Sequence, residues 1–284
     1  MVSRTDFSWP ANKRLAFYVA INIELFAYRK GIGSDFAFIK ARQTHRNYAW
    51  RDYGNRVGVW RIFKMLDELG LPAAHNVNAW LYGTCPQIFS RIRERGDEIV
   101  GHGRTNSEHQ RNYWEYDEAC LIREATEIIE KNEGSRPCGW LGGGPESFVT
   151  PDLLKEQGYL YLMNWAADDQ PIWMNTRAGK ILAMPYPAEV NDAYAIAHRQ
   201  QGAREFADMI VDQFDQMLRQ SISSPPLVCG IALHTFIAGQ PFRLRPIRRA
   251  LQHCLQHPDH DQVWFTRPGE IAHYCYSLLP GTIV

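Results

Sequence analysis

The nine residues from Leu15 to Ile23 (LAFYVAINI) constrain the fold of this chain more than any other stretch. They are almost wholly apolar and rich in strand formers, the pattern of a strand covered on both faces. Such strands belong to parallel sheets with helices packed against them, because only a crossover connection returns the chain to start a parallel neighbour. The run stops at Glu24. A carboxylate is therefore expected at the carboxyl end of a buried strand, the edge where α/β proteins bind ligands and do chemistry.

Two further stretches repeat the pattern with histidine. Glu98-Ile99-Val100 is too short for a helix, and it leads into Gly101-His102-Gly103-Arg104-Thr105-Asn106, whose glycines allow a tight turn after a strand. Leu227 to Leu233 reads as a late buried strand, and it ends at His234. A lone histidine after a strand is most simply a hydrogen-bonded loop residue. Three ionisable groups in the same position relative to three strands point to one shared site.

The intervening segments supply a βα rhythm. Helices are predicted over Val57 to Leu69, Pro86 to Arg95, Tyr116 to Glu130, from Thr150 to Gly158, Ala203 to Ser221, Arg243 to Gln256 and Pro268 to Leu279, from apolar residues at helical spacing and glycine stops. Further strands are predicted over Ala73 to Val77, Cys138 to Leu141, Tyr159 to Met163, Lys180 to Met184 and Val263 to Thr266. The segment from Phe26 to Asp52 reads as an excursion over one rim, suited to a lid or a subunit contact. With no internal repeat or low-complexity linker, the expected architecture is α/β: a distorted (β/α) barrel of seven or eight parallel strands. It is expected as a single domain over 1–284 with its core at about 15–277.

Composition removes several function classes. Lysine plus arginine, 31, equals aspartate plus glutamate, 31, so no broad basic field exists for nucleic acid or anionic membrane. The first residues lack the apolar core of a signal peptide, and no uncharged apolar run reaches membrane-spanning length; a cytoplasmic address is the expectation. Six cysteines without a CxxC pair are expected to be reduced, mostly buried thiols. The glycines of Gly142-Gly143-Gly144 have no following Lys-Ser/Thr, so a phosphate loop is disfavoured against glycines that admit substrate closely.

Glu24, His102, Asn106, the 141–147 loop, Asn164-Trp165 and His234, in this order, resemble the polysaccharide deacetylase superfamily, in particular its allantoinase-like and cyclic-imide-hydrolase-like branch. The resemblance runs from about Leu15 to Ser277 and rests on GHGxTNS, GWLG, NW…DDQP and YGNRVGVW. It implies a distorted (β/α) barrel whose strand-end motifs hold a water for attack on an amide carbonyl, often through a divalent metal. Metal-dependent deacetylases of the superfamily carry adjacent aspartates after the first strand, where this chain has Glu24 and Leu25. They carry two metal-binding histidines four residues apart, where it has His102 and Asn106. Leucine cannot bind a metal and a neutral amide is a weak zinc ligand. That departure favours the branch that opens small heterocyclic rings.

The resemblance and the residue chemistry together give an expected mechanism. Opening a cyclic amide or imide needs a base for water, donors for the oxyanion and an acid for the leaving nitrogen. Glu24 is the expected base, His102 positions the water or polarises the carbonyl, and His234 protonates the nitrogen. Asn106 and the N–H groups of Gly142 to Gly144, Gly143 and Gly144 among them, are expected oxyanion donors, with Arg56, Trp140, Trp165 and Asp169 as substrate contacts. No cofactor is assigned; a divalent metal such as zinc is the one candidate, with His102 as its ligand. The expected partner is a small-molecule substrate, and a homo-oligomer is expected by analogy with relatives. Two alternatives stay open: a metal-dependent N-deacetylase of a small acetylated amine or amino sugar, and a catalytically silent ligand-binding barrel.

Overall fold

The computed structural model describes residues 5–28 and 44–283. Its strands are β1 (Leu15–Ile23), β2 (Ala74–Val77), β3 (Glu98–Gly101), β4 (Gly139–Trp140), β5 (Tyr161–Leu162), β6 (Ile172–Thr176), β7 (Gly179–Ala183), β8 (Leu227–His234) and β9 (Val263–Phe265). They form one curled sheet in the order β6-β7-β5-β4-β3-β2-β1-β8, with β9 against the first three residues of β1. All pairings are parallel except β6 with β7. The open flank of β8 is bridged by irregular chain, through Ala232 N–H to Val190 O at 3.1 Å and Val228 N–H to Asp169 O at 2.9 Å. The expected distorted barrel is thus present as a curled, mostly parallel sheet. The β6–β7 hairpin goes beyond the expectation of parallel strands alone, since in the half-exposed segment Ile172–Thr176 the apolar run is only Ile172-Trp173-Met174, too short to announce a strand.

The helices are α1 (His45–Tyr53), α2 (Val59–Leu69), α3 (Leu81–Thr84), α4 (Pro86–Arg95), α5 (Glu115–Glu133), α6 (Thr150–Glu156), α7 (Ala203–Ser223), α8 (Thr235–Ala238), α9 (Pro241–Gln256) and α10 (Pro268–Ser277). α2 and α4 both end at glycines in the left-handed conformation, Gly70 and Gly96, which only glycine adopts at no steric cost. The first expected helix begins earlier than its apolar spacing indicates. α1 occupies the end of the 26–52 segment, and a π-helical turn, Gly54–Gly58, joins it to α2. α1 is polar, so hydrophobic periodicity does not announce it. The rest of the excursion, residues 29–43, lies outside the described residues.

Strand parity decides what faces the site. On β1 the residues Leu15, Phe17, Val19, Ile21 and Ile23 enter the core beneath the helices, whereas Ala16, Tyr18 and Ala20 enter the barrel interior. Because successive side chains alternate, Asn22 and Glu24 fall on the interior side. The same alternation sends Val228 and His234 of β8 inward, and Val100 with His102 at the end of β3. The barrel interior is made of small residues beside large rings: a Cβ on Gly230 would lie 2.6 Å from the Tyr18 ring, so glycine there admits the aromatic. All six cysteines are free, three of them buried. Among the described residues no helix is long and apolar enough to cross a membrane.

Candidate active site

Glu24, His102 and His234 meet at the carboxyl ends of β1, β3 and β8. All three are buried, at 7%, 3% and 8% exposure, and all three line one cavity of about 350 Å³. Glu24 Oε1 lies 3.6 Å from His102 Nε2 and 3.6 Å from His234 Nε2. That spacing is too long for a direct hydrogen bond and leaves each pair within reach of one shared small molecule.

Each imidazole is oriented from behind. His102 Nδ1 lies 2.6 Å from the Leu141 carbonyl, and a carbonyl can only accept, so Nδ1 carries the proton; His102 Nε2, which has no hydrogen-bond partner, faces Glu24. His234 Nδ1 is 2.7 Å from Asp192 Oδ1, and the same carboxylate accepts the His234 backbone N–H at 2.9 and 3.0 Å. Asp192 is fully buried, at the start of a π-helical turn, Ala193–His198. π-Helical segments recur at functional sites, and here one delivers the carboxylate that fixes His234.

The charges of the site are coupled. Burial opposes the charged form of Glu24, but the facing His234 and the neighbouring His102 and Arg51 outweigh it and hold the carboxyl below its ordinary value. Burial also opposes a charged His234; Glu24 on one side and Asp192 on the other outweigh it and raise its pKa. Each group thus favours the charged form of the other, a carboxylate at Glu24 facing an imidazolium at His234. Asn55 Nδ2 donates to the Glu24 carbonyl at 2.8 Å, and Asn78 Oδ1 accepts the Leu25 N–H at 2.7 Å, so the turn after β1 is fixed on both sides.

The structure divides the expected substrate contacts. Gly143 and Gly144 line the cavity. Asn106 is buried behind it, with Oδ1 without a hydrogen-bond partner and 2.3 Å from where a Gly143 Cβ would stand; it supports the glycine loop and does not line the cavity. Gly142 N–H already donates to Asn164 Oδ1 at 2.9 Å. Four other expectations are corrected. Trp140 is fully buried in the helix-side core, edge-on to Tyr159 with ring centroids 5.5 Å apart, because parity turns it away from the interior. Trp165 is 52% exposed and outside the cavity, where its neighbours Asn164 and Ala166 are the lining residues. Arg56 is exposed on the π-helical turn, and the buried arginine near Glu24 is Arg51, whose guanidinium lies 3.9 Å from the Phe26 ring centroid. Asp169 is exposed beside β8 and lines a neighbouring hollow.

Sequence reasoning left out Asn22, Tyr186 and Asp192. Asn22 could have been found by parity, two residues before Glu24. Its Nδ2 donates to Tyr186 Oη at 3.0 Å, and its Oδ1 accepts from Asn76 at 3.0 Å. Tyr186 lines the cavity, and its pKa is raised by burial, which keeps it a hydroxyl donor. Asp192 sits 42 residues before His234, a separation with no local signature.

The residues do not fit the divalent metal of the related deacetylases. Leu25 offers no donor, Asn106 lies behind the glycine loop, and Glu24, His102 and His234 are not among the groups of described residues whose ligand atoms gather within 4.8 Å of one another. The three gathered protein ligands of a catalytic zinc are therefore not assembled here. Elsewhere, Asp215, His253 and His257 form a cluster whose candidate ligand atoms all lie within 4.8 Å of one another.

Comparison with known proteins agrees with this architecture. No family model matches the chain. A Schizosaccharomyces pombe protein assigned to the polysaccharide deacetylases is 24% identical over 304 residues, covering 93% of this chain and 91% of the relative. The crystal structure of Puue allantoinase superposes with a TM-score of 0.85 at 27% identity, over 96% of this chain and 93% of the other. A Pseudomonas aeruginosa PAO1 protein assigned to the polysaccharide deacetylases gives 0.84 at 25% identity, over 96% and 94%. The chain is polysaccharide deacetylase-like, with an allantoinase among its structural neighbours, and its similarities are to hydrolases of that type.

Proposed function

We propose that this protein hydrolyses a carbon–nitrogen bond in a small cyclic amide or imide, without a catalytic metal. The observation that carries the reading is Glu24 Oε1 standing 3.6 Å from both His102 Nε2 and His234 Nε2, with Asp192 behind His234. A water between Glu24 and His102 gives its proton to the Glu24 carboxylate as its oxygen attacks the ring carbonyl. His102, with Nδ1–H tied to Leu141, offers only a lone pair at Nε2 and orients that water. The hydroxyl of Tyr186, whose contact to Asn22 Oδ1 is long at 3.4 Å, turns to the oxyanion, with the glycine loop around Gly144 as the facing wall.

Collapse of the tetrahedral carbon breaks the C–N bond, and His234 Nε2 delivers its proton to the departing nitrogen. The ring opens to a carboxylic acid and an amide or ureido N–H. The proton on Glu24 returns to His234 across the same 3.6 Å gap, and the product acid ionises to solvent. A cavity of about 350 Å³ suits a ring of this size. The allantoinase neighbour supports the same substrate class.

A second reading, N-deacetylation of a small acetylated amine, is favoured by the assignments of the Schizosaccharomyces and Pseudomonas relatives. One screen separates the two: hydantoin, allantoin, succinimide and glutarimide followed by ring opening, and acetylated amines and amino sugars followed by acetate release, each on chelator-treated protein. Ring opening that persists without metal supports the proposal. Acetate release alone, or turnover that requires added zinc, overturns it.

A further inference from the structure

We propose a second site, separate from the catalytic cavity: a transition-metal site of the zinc class on the seam between α7 and α9, held by Asp215, His253 and His257. Asp215 lies on α7; His253 lies in the last turn of α9, and His257 follows as its C-terminal cap. The four-residue spacing places both imidazoles on one face of α9, and the facing helix adds the carboxylate. His253 Nε2 is 2.7 Å and His257 Nε2 is 3.8 Å from Asp215 Oδ1, and the three candidate ligand atoms are all within 4.8 Å of one another. Bonds of about 2.0–2.2 Å to a tetrahedral ion put its ligands about 3.3 Å apart, between the two distances seen. Small side-chain motions suffice.

The surroundings suit a bound cation. Phe214 packs edge-on to both imidazoles, with ring centroids 6.5 and 5.7 Å away, which restrains them at the seam. Asp259 Oδ2 lies 4.0 Å from His257 Nδ1, a carboxylate placed behind a ligating imidazole. The Asp259 backbone N–H now donates to that Nδ1 at 3.1 Å; ligation through Nε2 gives Nδ1 the proton and turns the contact to the Asp259 carboxylate. The hollow beside the cluster is lined by Asp212, Asp215 and Asp259 against one cation, Arg219, among the described residues. Two imidazoles and one carboxylate select zinc, nickel, cobalt or copper over magnesium or calcium, and waters from the open side complete the shell. None of the three ligands lines the catalytic cavity.

The test uses the full chain, stripped with chelator and titrated calorimetrically with zinc chloride, then with cobalt chloride read by its visible absorption. The expected result is one equivalent bound by the wild type and a melting temperature raised by about 3 °C or more at saturation. His253→Gln and Asp215→Asn should each weaken binding at least tenfold while keeping the wild-type circular dichroism spectrum. His102→Ala and Glu24→Gln should bind as the wild type does. Binding unchanged in both seam variants, no binding by the wild type, or binding lost in His102→Ala and kept in His253→Gln overturns the proposal. None of these readouts depends on turnover, so the ring-opening reading can fail while this site stands.

Discussion

Glu24 and His234 face each other across 3.6 Å from neighbouring parallel strands, in a register that pairs Asn22 of β1 with His234 of β8. Neither is tied to the other by a hydrogen bond. Both atoms border the same cavity, where one reacting molecule can touch them together, and their opposite charges favour a deprotonated base next to an acid that holds its proton. Asp192 completes the arrangement from below by gripping the ring and backbone of His234 together.

Replacing Glu24 by Gln removes the base while keeping shape and burial. Ring-opening kcat/KM should fall by about 10²–10⁴, with the circular dichroism spectrum of the wild type and a melting temperature lowered by the lost pairing with His234. Steady-state kinetics beside thermal denaturation decides the matter; wild-type turnover in Glu24→Gln would remove the role assigned to this carboxylate.

Replacing Asp192 by Asn keeps an acceptor for the His234 N–H but removes the charge that favours imidazolium. kcat should drop on the order of 10²-fold, and the alkaline limb of the pH–rate profile should move to lower pH. A variant whose profile keeps its alkaline limb in place would make Asp192 a scaffold residue alone.

The pH dependence of the wild type follows from the two shifts. Glu24 must be ionised and His234 protonated, so kcat/KM should be bell-shaped. Its acid limb should lie below the ordinary carboxylate value of 4.5, and its alkaline limb above the ordinary imidazole value of 6.5. Stability follows the same signs. The contribution of Glu24, whose pKa is lowered in the fold, is present above its unfolded value and is lost as pH falls through the folded one. That of His234, whose pKa is raised, is complete below about 6.5 and lost as pH rises through the folded value. Denaturant titrations across pH should show both edges; a profile with neither would contradict the ion pair.

The π-helical turn Gly54–Gly58 clamps α8, the short helix that follows His234. A Cβ on Gly58 would lie 2.0 Å from the Thr235 carbonyl oxygen, and one on Gly239 would lie 2.4 Å from the Gly58 Cα. Gly58→Ala should destabilise by about 1–3 kcal/mol and lower kcat by displacing His234. Unchanged melting and turnover would show that the clamp yields freely.

Trp140 offers the contrasting case. Being wholly in the core, it should act on stability and not on substrate affinity: Trp140→Phe should lower the melting temperature and leave KM within about twofold of the wild type, as expected for a packing change alone. A large KM change would return the ring to the site.

The amino-acid sequence by itself determined the strands and most of the helices, because burial on both faces, 3.6-residue stripes and glycine stops are written locally, as in Leu15–Ile23, α2 and α4. It also determined that Glu24, His102 and His234 share the rim, since each follows a strand directly and parity sends all three inward. Tertiary structure alone decided which neighbours join them. Trp140 on β4 and Trp165 beyond β5 both fall near the rim in sequence, and only the folded chain places one in the core and the other toward solvent. Asp192 reaches His234, Asn55 reaches the Glu24 carbonyl and Tyr186 reaches Asn22 across tens or hundreds of residues, through contacts that exist only after the sheet has curled. The polar α1 and the short, half-exposed β6 are likewise fixed by what they pack against, where no periodicity marks them beforehand.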